Sequence, residues 1–149
     1  MDKNEQLIQL SERGRFWHLD FDDLSPAEQV FRAIWELEGE VNNGGFEQYF
    51  FNSAGDTAFA VVDALKAIGA YDMARIAEDA NRVFPCSLPP RGREERQALL
   101  DSLDREQKAF LESLDHEFYG YPGNLTELLY DYVKRNLADI PGATDIGIY

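Results

Sequence analysis

The fold class that the sequence predicts is all-α, in the form of a compact helical bundle of about six or seven helices. Apolar residues recur at intervals of three and four through most of the chain, as they do along one face of a helix. No stretch alternates β-branched and polar residues in the manner of a strand. The 149 residues, 44% of them hydrophobic, can bury one core, and no repeat or low-complexity tract divides them. We therefore expect one acidic domain over residues 1–149.

The first predicted helix runs from Pro26 to about Glu40. Ser25 can cap its N-terminus, Pro26 suits the first helical position, and Glu28 lies in the first turn. Its apolar residues repeat at intervals of three and four, which predicts one buried face. They are Ala27, Val30, Phe31, Ile34, Leu37 and Val41.

A tight corner is predicted at residues 42–45, where two asparagines precede two glycines that permit positive φ. A short helix should follow, because aromatic residues recur at helical spacing from Phe46 to Phe50. We expect Gly55 to cap the end of this helix and Asp56 to cap the start of the next one.

Four further segments have helical patterns. One covers residues 57–68, and the next ends at Pro85, which cannot continue a helix. Residues 93–118 predict either one long helix or two shorter helices separated near Asp104. Asn124 can cap a last helix.

The two chain ends, residues 1–13 and 143–149, are expected to fray. Three apolar residues that follow the first of these segments are expected to pack onto the body of the protein instead. They are Trp17, Leu19 and Phe21.

Negative charge dominates the composition, with 28 Asp and Glu against 14 Lys and Arg and a net charge of −14. Such a surface disfavours direct binding of nucleic acid or of an anionic membrane. Residues 1–50 hold 11 acids and 4 bases, residues 51–100 hold 7 and 6, and residues 101–149 hold 10 and 4. We therefore expect a buried middle third and two acidic outer thirds.

A cytoplasmic location fits the sequence. Cys86 is the only cysteine, so an intramolecular disulfide cannot form and nothing indicates an oxidising compartment. No apolar run approaches the roughly 18 residues that span a bilayer, and the first ten residues do not resemble a signal peptide.

No residue pattern indicates catalysis, a metal or a cofactor. His18 and His116 lie far apart, and no His-x-x-x-His, Cys-x-x-Cys or Glu-x-x-His spacing occurs. Asp115, His116 and Glu117 could offer ligands, but neighbouring helical residues point about 100° apart, so a solvated turn is the better interpretation. Cys86 is expected to be a packing residue rather than a nucleophile. Gly44 and Gly45 lack the lysine of a phosphate-binding loop. We predict that the protein is not an enzyme.

The segment from Asn42 to Asp56 has two interpretations. In the structural one, its amide and hydroxyl side chains bond to the backbone at two chain breaks and its aromatic side chains fill the core. In the functional one, residues 42–52 bind a small molecule or carry out catalysis. The polar residues are Asn42, Asn43, Gln48, Asn52 and Ser53, and the aromatic ones are Phe46, Tyr49, Phe50 and Phe51.

The order of residues in this segment is distinctive: Glu-Val-Asn-Asn-Gly-Gly-Phe at 40–46, Gln-Tyr-Phe-Phe-Asn-Ser at 48–53 and Gly-Asp at 55–56. It resembles the signature of the bacterial DNA-mimic protein family, and the resemblance covers about residues 33–84. Turn and core residues make up this signature, so we expect it to be structural. Its residues are Asn42, Asn43, Gly44, Gly45, Phe46, Gln48, Tyr49, Phe50, Asn52, Ser53, Gly55 and Asp56.

The resemblance implies a small, acidic, helical homodimer that imitates duplex DNA. Surface carboxylates of such a protein occupy the DNA site of a basic DNA-binding protein, for example a helix-turn-helix repressor or a histone-like protein. The resemblance identifies no individual contact residue.

The surface that binds the partner is predicted from the distribution of acids and bases. Several acids have a base four residues away, which is typical of an ordinary solvated helix face. These favourable pairs are Glu28 with Arg32, Arg75 with Asp79, Glu78 with Arg82, Asp101 with Arg105, Asp104 with Lys108, and Asp131 with Arg135. The densest acidic stretch without a nearby base other than Arg32 consists of Asp20, Asp22, Asp23, Glu36, Glu38, Glu40 and Glu47.

A second class of function fits the same negative surface. An immunity-type or inhibitor protein that blocks a basic nuclease or toxin would need it equally, and charge alone does not separate the two. A partner held through buried apolar contacts would favour the inhibitor, because such binding survives high salt.

Overall fold

The computed structural model describes residues 1–120 and 123–149, and in these residues it contains seven α-helices and no strand, which confirms the all-α prediction. None of the helices is long and apolar enough to cross a membrane. The helices are α1 Lys3–Arg13, α2 Pro26–Phe51, α3 Ala58–Ala67, α4 Tyr71–Asn81, α5 Arg93–Asp101, α6 Arg105–Tyr119 and α7 Leu125–Arg135.

Helix α2 lies at the centre of the fold and contacts α3, α5, α6 and α7. It begins as predicted: the Ser25 hydroxyl accepts from the Glu28 N–H at 3.1 Å, and the Glu28 carboxylate accepts from the Ser25 N–H at 3.0 Å. Its apolar stripe is buried, with Phe31, Ile34 and Leu37 fully inaccessible. Burying each such side chain contributes about 1.5–3 kcal/mol, so this stripe is a main source of stability.

The predicted corner is confined to one residue. Gly45 has φ 86° and ψ 179°, and helical backbone continues on both sides of it. The first arm of α2 therefore runs past Glu40 to Gly44, and the second arm covers residues 46–51. Only glycine adopts this backbone conformation readily.

Residues 93–118 form two helices, which settles the alternative that the sequence left open. Asp104 is the N-cap of α6: its carboxylate accepts from the Gln107 N–H at 2.8 Å, and the Gln107 side chain accepts from the Asp104 N–H at 3.0 Å. This capping box starts a new helix at Arg105, because it supplies partners for two backbone donors.

The prediction of frayed chain ends is wrong. Residues 3–13 form α1, which Asp2 and Glu5 start with a capping box and whose Leu10 is fully buried. At the other end Ile148 is fully buried, and the Gln6 side chain donates to the backbone carbonyls of residues 146 and 147. The two ends are ordered because each covers the other.

The segment between α1 and α2 packs partly as expected. Phe16 is fully buried, and Leu19 and Phe21 are partly buried. The Trp17 indole N–H donates to the Ser11 carbonyl at 2.8 Å, although 43% of this residue remains exposed. Cys86, expected to be a packing residue, is exposed.

Candidate partner surface and the signature segment

The seven acidic residues predicted to bind a partner occupy three places. Three of them form a turn before α2, three lie on the first arm of α2, and one follows the corner. The turn contacts α2 at Gln29, which donates to the Phe21 carbonyl, and the helix rises about 24 Å from Gln29 to the corner at Gly45. The structure therefore does not gather these residues into one patch. In chain order they are Asp20, Asp22 and Asp23, then Glu36, Glu38 and Glu40, then Glu47.

The acidic turn, defined here as residues 20–23, has three accessible carboxylates. Asp20, Asp22 and Asp23 are all exposed. Arg91 donates to both carboxylate oxygens of Asp22 at 3.1 Å, an ion pair that sequence reasoning missed because 69 residues separate the partners. Both side chains are more than half exposed, so water and salt weaken this pair.

Glu36 lies inside the protein, which corrects the expectation of a free surface carboxylate. Its side chain is 12% exposed and accepts from Arg32 Nε at 3.1 Å and from the Thr57 hydroxyl at 3.3 Å. Burial raises the pKa of Glu36 to about 7, while Arg32 and Thr57 oppose that rise and Asp56 adds to it. The carboxyl therefore changes charge near neutral pH.

The predicted pair between Glu28 and Arg32 is wrong. Glu28 is fully buried and accepts two hydrogen bonds from Arg15, at 2.8 and 2.9 Å. Burial raises the pKa of Glu28, but Arg15 and Ser25 outweigh it, and the net pKa is lowered. Arg32 is thus left to pair with Glu36.

Glu38 and Glu40 lie on different sides of α2. Glu38 lines a shallow depression of about 270 Å³ beside Asn124 and Leu125 at the start of α7. The Glu40 carboxylate accepts from the amide groups of Asn52 and Gln48, so it holds together the two arms of α2. These carboxylates do not form a row along the helix.

Glu47 is exposed and borders a groove between the corner of α2 and helix α6. The groove has a volume of about 430 Å³, and its walls carry both signs of charge. Glu112 and Asp115 contribute carboxylates, whereas Arg105 and Lys108 contribute cations. Its charge is therefore mixed.

Asp115 holds the corner of α2 in place. Its carboxylate accepts from the Phe46 N–H at 2.7 Å, which supplies a cap for the second arm from another helix. A Cβ added at Gly45 would overlap the same carboxylate. Burial raises the pKa of Asp115, and the hydrogen bond from Phe46 opposes that rise.

Arg96 fixes the end of the signature segment and was not predicted. Its side chain is fully buried, and it donates five hydrogen bonds to oxygen atoms of the chain. The Nε group donates to the Phe50 carbonyl at 2.5 Å, and the Nη groups donate to the carbonyls of Asn52, Pro90 and Arg91 and to the Asp56 carboxylate, at 2.8–3.1 Å.

Arg96 also explains why the expected caps at Gly55 and Asp56 are wrong. A Cβ at Gly55 would lie 2.8 Å from Arg96 Nε, so glycine is needed here for close approach. Asn52 is the C-cap of α2, and Thr57 is the N-cap of α3 without a side-chain hydrogen bond. Asp56 pairs with Arg96 instead.

The aromatic residues of the signature are mostly core. Phe46, Tyr49 and Phe50 are fully buried, and the Phe46 ring packs edge-on against Phe118 of α6. Phe51 was expected in the core but is 45% exposed. The Tyr49 hydroxyl has no hydrogen-bond partner among the described residues, and burial raises its pKa.

The model of the family described as DMP19-like protein matches residues 22–136, from the acidic turn through α7. The chain belongs to the DMP19-like family. This is the DNA mimic protein family, so the match supports the resemblance seen in the signature and extends it beyond residues 33–84. No curated protein and no solved structure matches the chain.

Proposed function

We propose that this DMP19-like chain is an acidic DNA mimic that binds a DNA-binding protein, a repressor or a histone-like protein, and competes with DNA for it. The observation that carries the proposal is the charge excess in a chain of this family. If each of the 14 cations neutralised one of the 28 carboxylates, 14 carboxylates would still lack a counter-charge. Such an excess attracts a basic partner and raises its rate of association.

The acidic turn is the contact surface that we propose for the partner. Asp20, Asp22 and Asp23 are exposed and lie close together in sequence, and Asp22 pairs with the solvent-accessible Arg91. A basic partner can replace Arg91 at little cost, because exposed ion pairs contribute roughly 0–1 kcal/mol.

We propose further that the protein acts in the cytoplasm as a homodimer. Two copies would present two acidic turns, which suits a partner that is itself two-fold symmetric, as repressors that bind palindromic DNA are. Light scattering after gel filtration would measure the mass directly, and a monomer at micromolar concentration would contradict the dimer.

The test of the function is capture of a partner from lysate of the native host at low salt, followed by elution with duplex DNA. A DNA-binding protein that DNA displaces would support the proposal. A nuclease or toxin that stays bound at high salt would favour the inhibitor class instead. If nothing is captured, a small-molecule or structural role becomes the better hypothesis.

The test of the surface uses two charge-matched triple variants. We expect Asp20→Asn, Asp22→Asn and Asp23→Asn together to weaken partner binding about tenfold or more. The control, Asp72→Asn, Glu78→Gln and Glu106→Gln, removes three exposed carboxylates from α4 and α6 and should have a clearly smaller effect. Equal losses would mean that overall charge, and not the turn, determines binding.

A further inference from the structure

One guanidinium group ties the acidic turn to helix α2. Arg32 donates from Nε to the Glu36 carboxylate at 3.1 Å, and from Nη1 to the backbone carbonyls of Phe16 and Leu19 at 2.9 and 3.2 Å. These two carbonyls belong to the segment that leads directly into residues 20–23. The position of the turn therefore depends on where Arg32 points.

Aromatic contacts on the same segment reinforce this arrangement. The Arg32 guanidinium lies 5.4 Å from the centre of the Trp17 ring and 5.9 Å from that of Phe21, within the range of cation–π attraction. Gln29, one turn before Arg32, donates to the Phe21 carbonyl at 2.9 Å. Three backbone carbonyls of the segment thus accept hydrogen bonds from side chains of α2.

Glu36 is the counter-charge that holds Arg32 in this position. Both side chains are largely buried, with 19% of Arg32 and 12% of Glu36 exposed. On the far side Glu36 faces the Thr57 hydroxyl, with Asp56 nearby and the buried Tyr49 behind it. Two further cations lie near this cluster: Arg96, whose hydrogen bonds go to backbone carbonyls and to Asp56, and the half-exposed Arg93, 3.8 Å from the Asp56 carboxylate.

We propose that Arg32 and Glu36 form an ionisation-dependent latch on the acidic turn. Ionised Glu36 keeps Arg32 against the carbonyls of Phe16 and Leu19, and protonated Glu36 leaves a largely buried guanidinium without a counter-charge. Because an unpaired buried cation is costly, Arg32 then turns toward water and the carboxylates of the turn, and residues 16–23 loosen. The burial that raises the pKa of Glu36 to about 7 places this change near neutrality.

The latch regulates the surface on which the proposed function rests. By linkage, a partner that binds the ordered turn favours ionised Glu36, and protonation of Glu36 weakens binding by the same factor. The latch itself needs no partner, so it can be tested in the free protein.

The experiment compares the free full-length chain at about pH 6 and about pH 8, on either side of the Glu36 transition. Hydrogen exchange of the backbone in residues 16–24, corrected for the intrinsic rate, should be about tenfold faster at the lower pH. The fluorescence of Trp17, measured in a Trp35→Phe background, should change over the same pH range. If the hydrogen-exchange protection of residues 16–24 in the wild-type chain were the same at both pH values, the proposal would be overturned, and no variant would be needed to decide it.

Three variants assign the transition. In Glu36→Gln the fluorescence change should disappear, and exchange at about pH 8 should rise to the wild-type level at about pH 6. Glu47→Gln, an exposed position on the same helix, should behave as wild type. His18→Gln should also keep the transition; if this variant loses it and Glu36→Gln retains it, the histidine and not the latch is responsible.

Partner affinity separates failure of the latch from failure of the proposed function. The wild-type chain should lose more affinity for a captured partner between about pH 8 and about pH 6 than Glu36→Gln does. A latch that responds to pH in a chain that binds no DNA-binding protein would overturn only the proposed function. A partner bound equally at both pH values would overturn the regulatory role of the latch.

Discussion

At the scale of single residues, Arg96 is the side chain whose replacement should cost most. It is fully buried and connects the end of α2 to the loop before α5 through five hydrogen bonds. Lysine keeps the charge but has three donors and no planar fork, so acceptors would be left unpaired.

We expect Arg96→Lys to lower the free energy of unfolding by about 3 kcal/mol in urea titrations. The control is Arg93→Lys, because Arg93 is half exposed and lies 3.8 Å from the same Asp56 carboxylate. That control should change stability by less than about 0.5 kcal/mol. Similar losses of unfolding free energy in both variants would contradict the conclusion that burial makes the replacement of Arg96 costly.

Two glycines of α2 should respond in opposite ways to the same substitution. Gly45→Ala combines a positive φ with overlap of the Asp115 carboxylate and should cost about 3 kcal/mol or more. Gly39→Ala lies in exposed helix with open space around its Cβ and should stabilise by about 0.5–1 kcal/mol. Thermal and urea unfolding would measure whether each variant is more or less stable than the wild-type chain.

The sequence predicts some of these residue roles and not others. The corner at Gly45 is predictable, because paired asparagines and glycines indicate a turn by local chemistry alone. Arg96 is not, because three of its five acceptors lie 40 to 46 residues away along the chain. One local signal indicates that Arg96 is buried: it lies in the same helical stripe as Leu100 and Leu103.

At the scale of elements, the corner of α2 depends on a cap that another helix supplies. Asp115→Ala would leave the Phe46 N–H without its partner, and we expect a loss of about 1–2 kcal/mol, as for removal of an N-cap. Asp115→Asn keeps an oxygen acceptor and should lose less. Glu112→Ala, at an exposed position on the same helix, is the control and should be close to neutral in urea unfolding.

Helix α1 shows why element prediction fails at chain ends. Asp2 and Glu5 have the spacing of a capping box, and Leu7 and Leu10 have that of a buried stripe. These local signals are short, and a helix of 11 residues is marginal without tertiary contacts. Its contacts come from the C-terminal residues and from α7, and no local pattern reveals such distant partners.

Some ion pairs are predicted by local sequence, and others depend on contacts between distant segments. The pair between Arg75 and Asp79 forms as predicted, at 3.1 Å, because the two side chains lie four residues apart on one face of α4. Glu28 instead meets Arg15 from a preceding segment. Helical spacing states which pairs are within reach, and tertiary packing decides which of them form.

At the scale of the whole molecule, the free energy of unfolding should depend on pH through Glu36. Its pKa is raised in the folded state from 4.5 to about 7, so its contribution is fully present below pH 4.5 and is lost as pH rises through 7. From about pH 5.5 to about pH 8, wild type should lose roughly 2 kcal/mol relative to Glu36→Gln. Glu47→Gln supplies the control for removal of one charge.

Protonation of Glu36 should raise the global free energy of unfolding but lower the local protection of residues 16–23, so measuring both quantities is informative. Below pH 7, protonated Glu36 stabilises the fold against global unfolding while it loosens residues 16–23. General acid destabilisation would instead lower global stability and local protection together. Urea unfolding and hydrogen exchange on one sample would therefore tell the two apart.

Salt should also act in opposite directions on folding and on partner binding, because both depend on the net charge of −14. In the free protein, unneutralised carboxylates repel one another, and salt reduces that repulsion as the Debye length falls from about 30 Å at 0.01 M to about 8 Å at 0.15 M. The melting temperature should therefore rise over this range.

A basic partner provides the missing positive charge, so the same screening should weaken its binding. Calorimetric melting and titration in sodium chloride would measure both effects. The triple variant of the acidic turn should show a shallower salt dependence of binding than its charge-matched control. A melting temperature that fell with salt would contradict the account of an excess of unneutralised carboxylates.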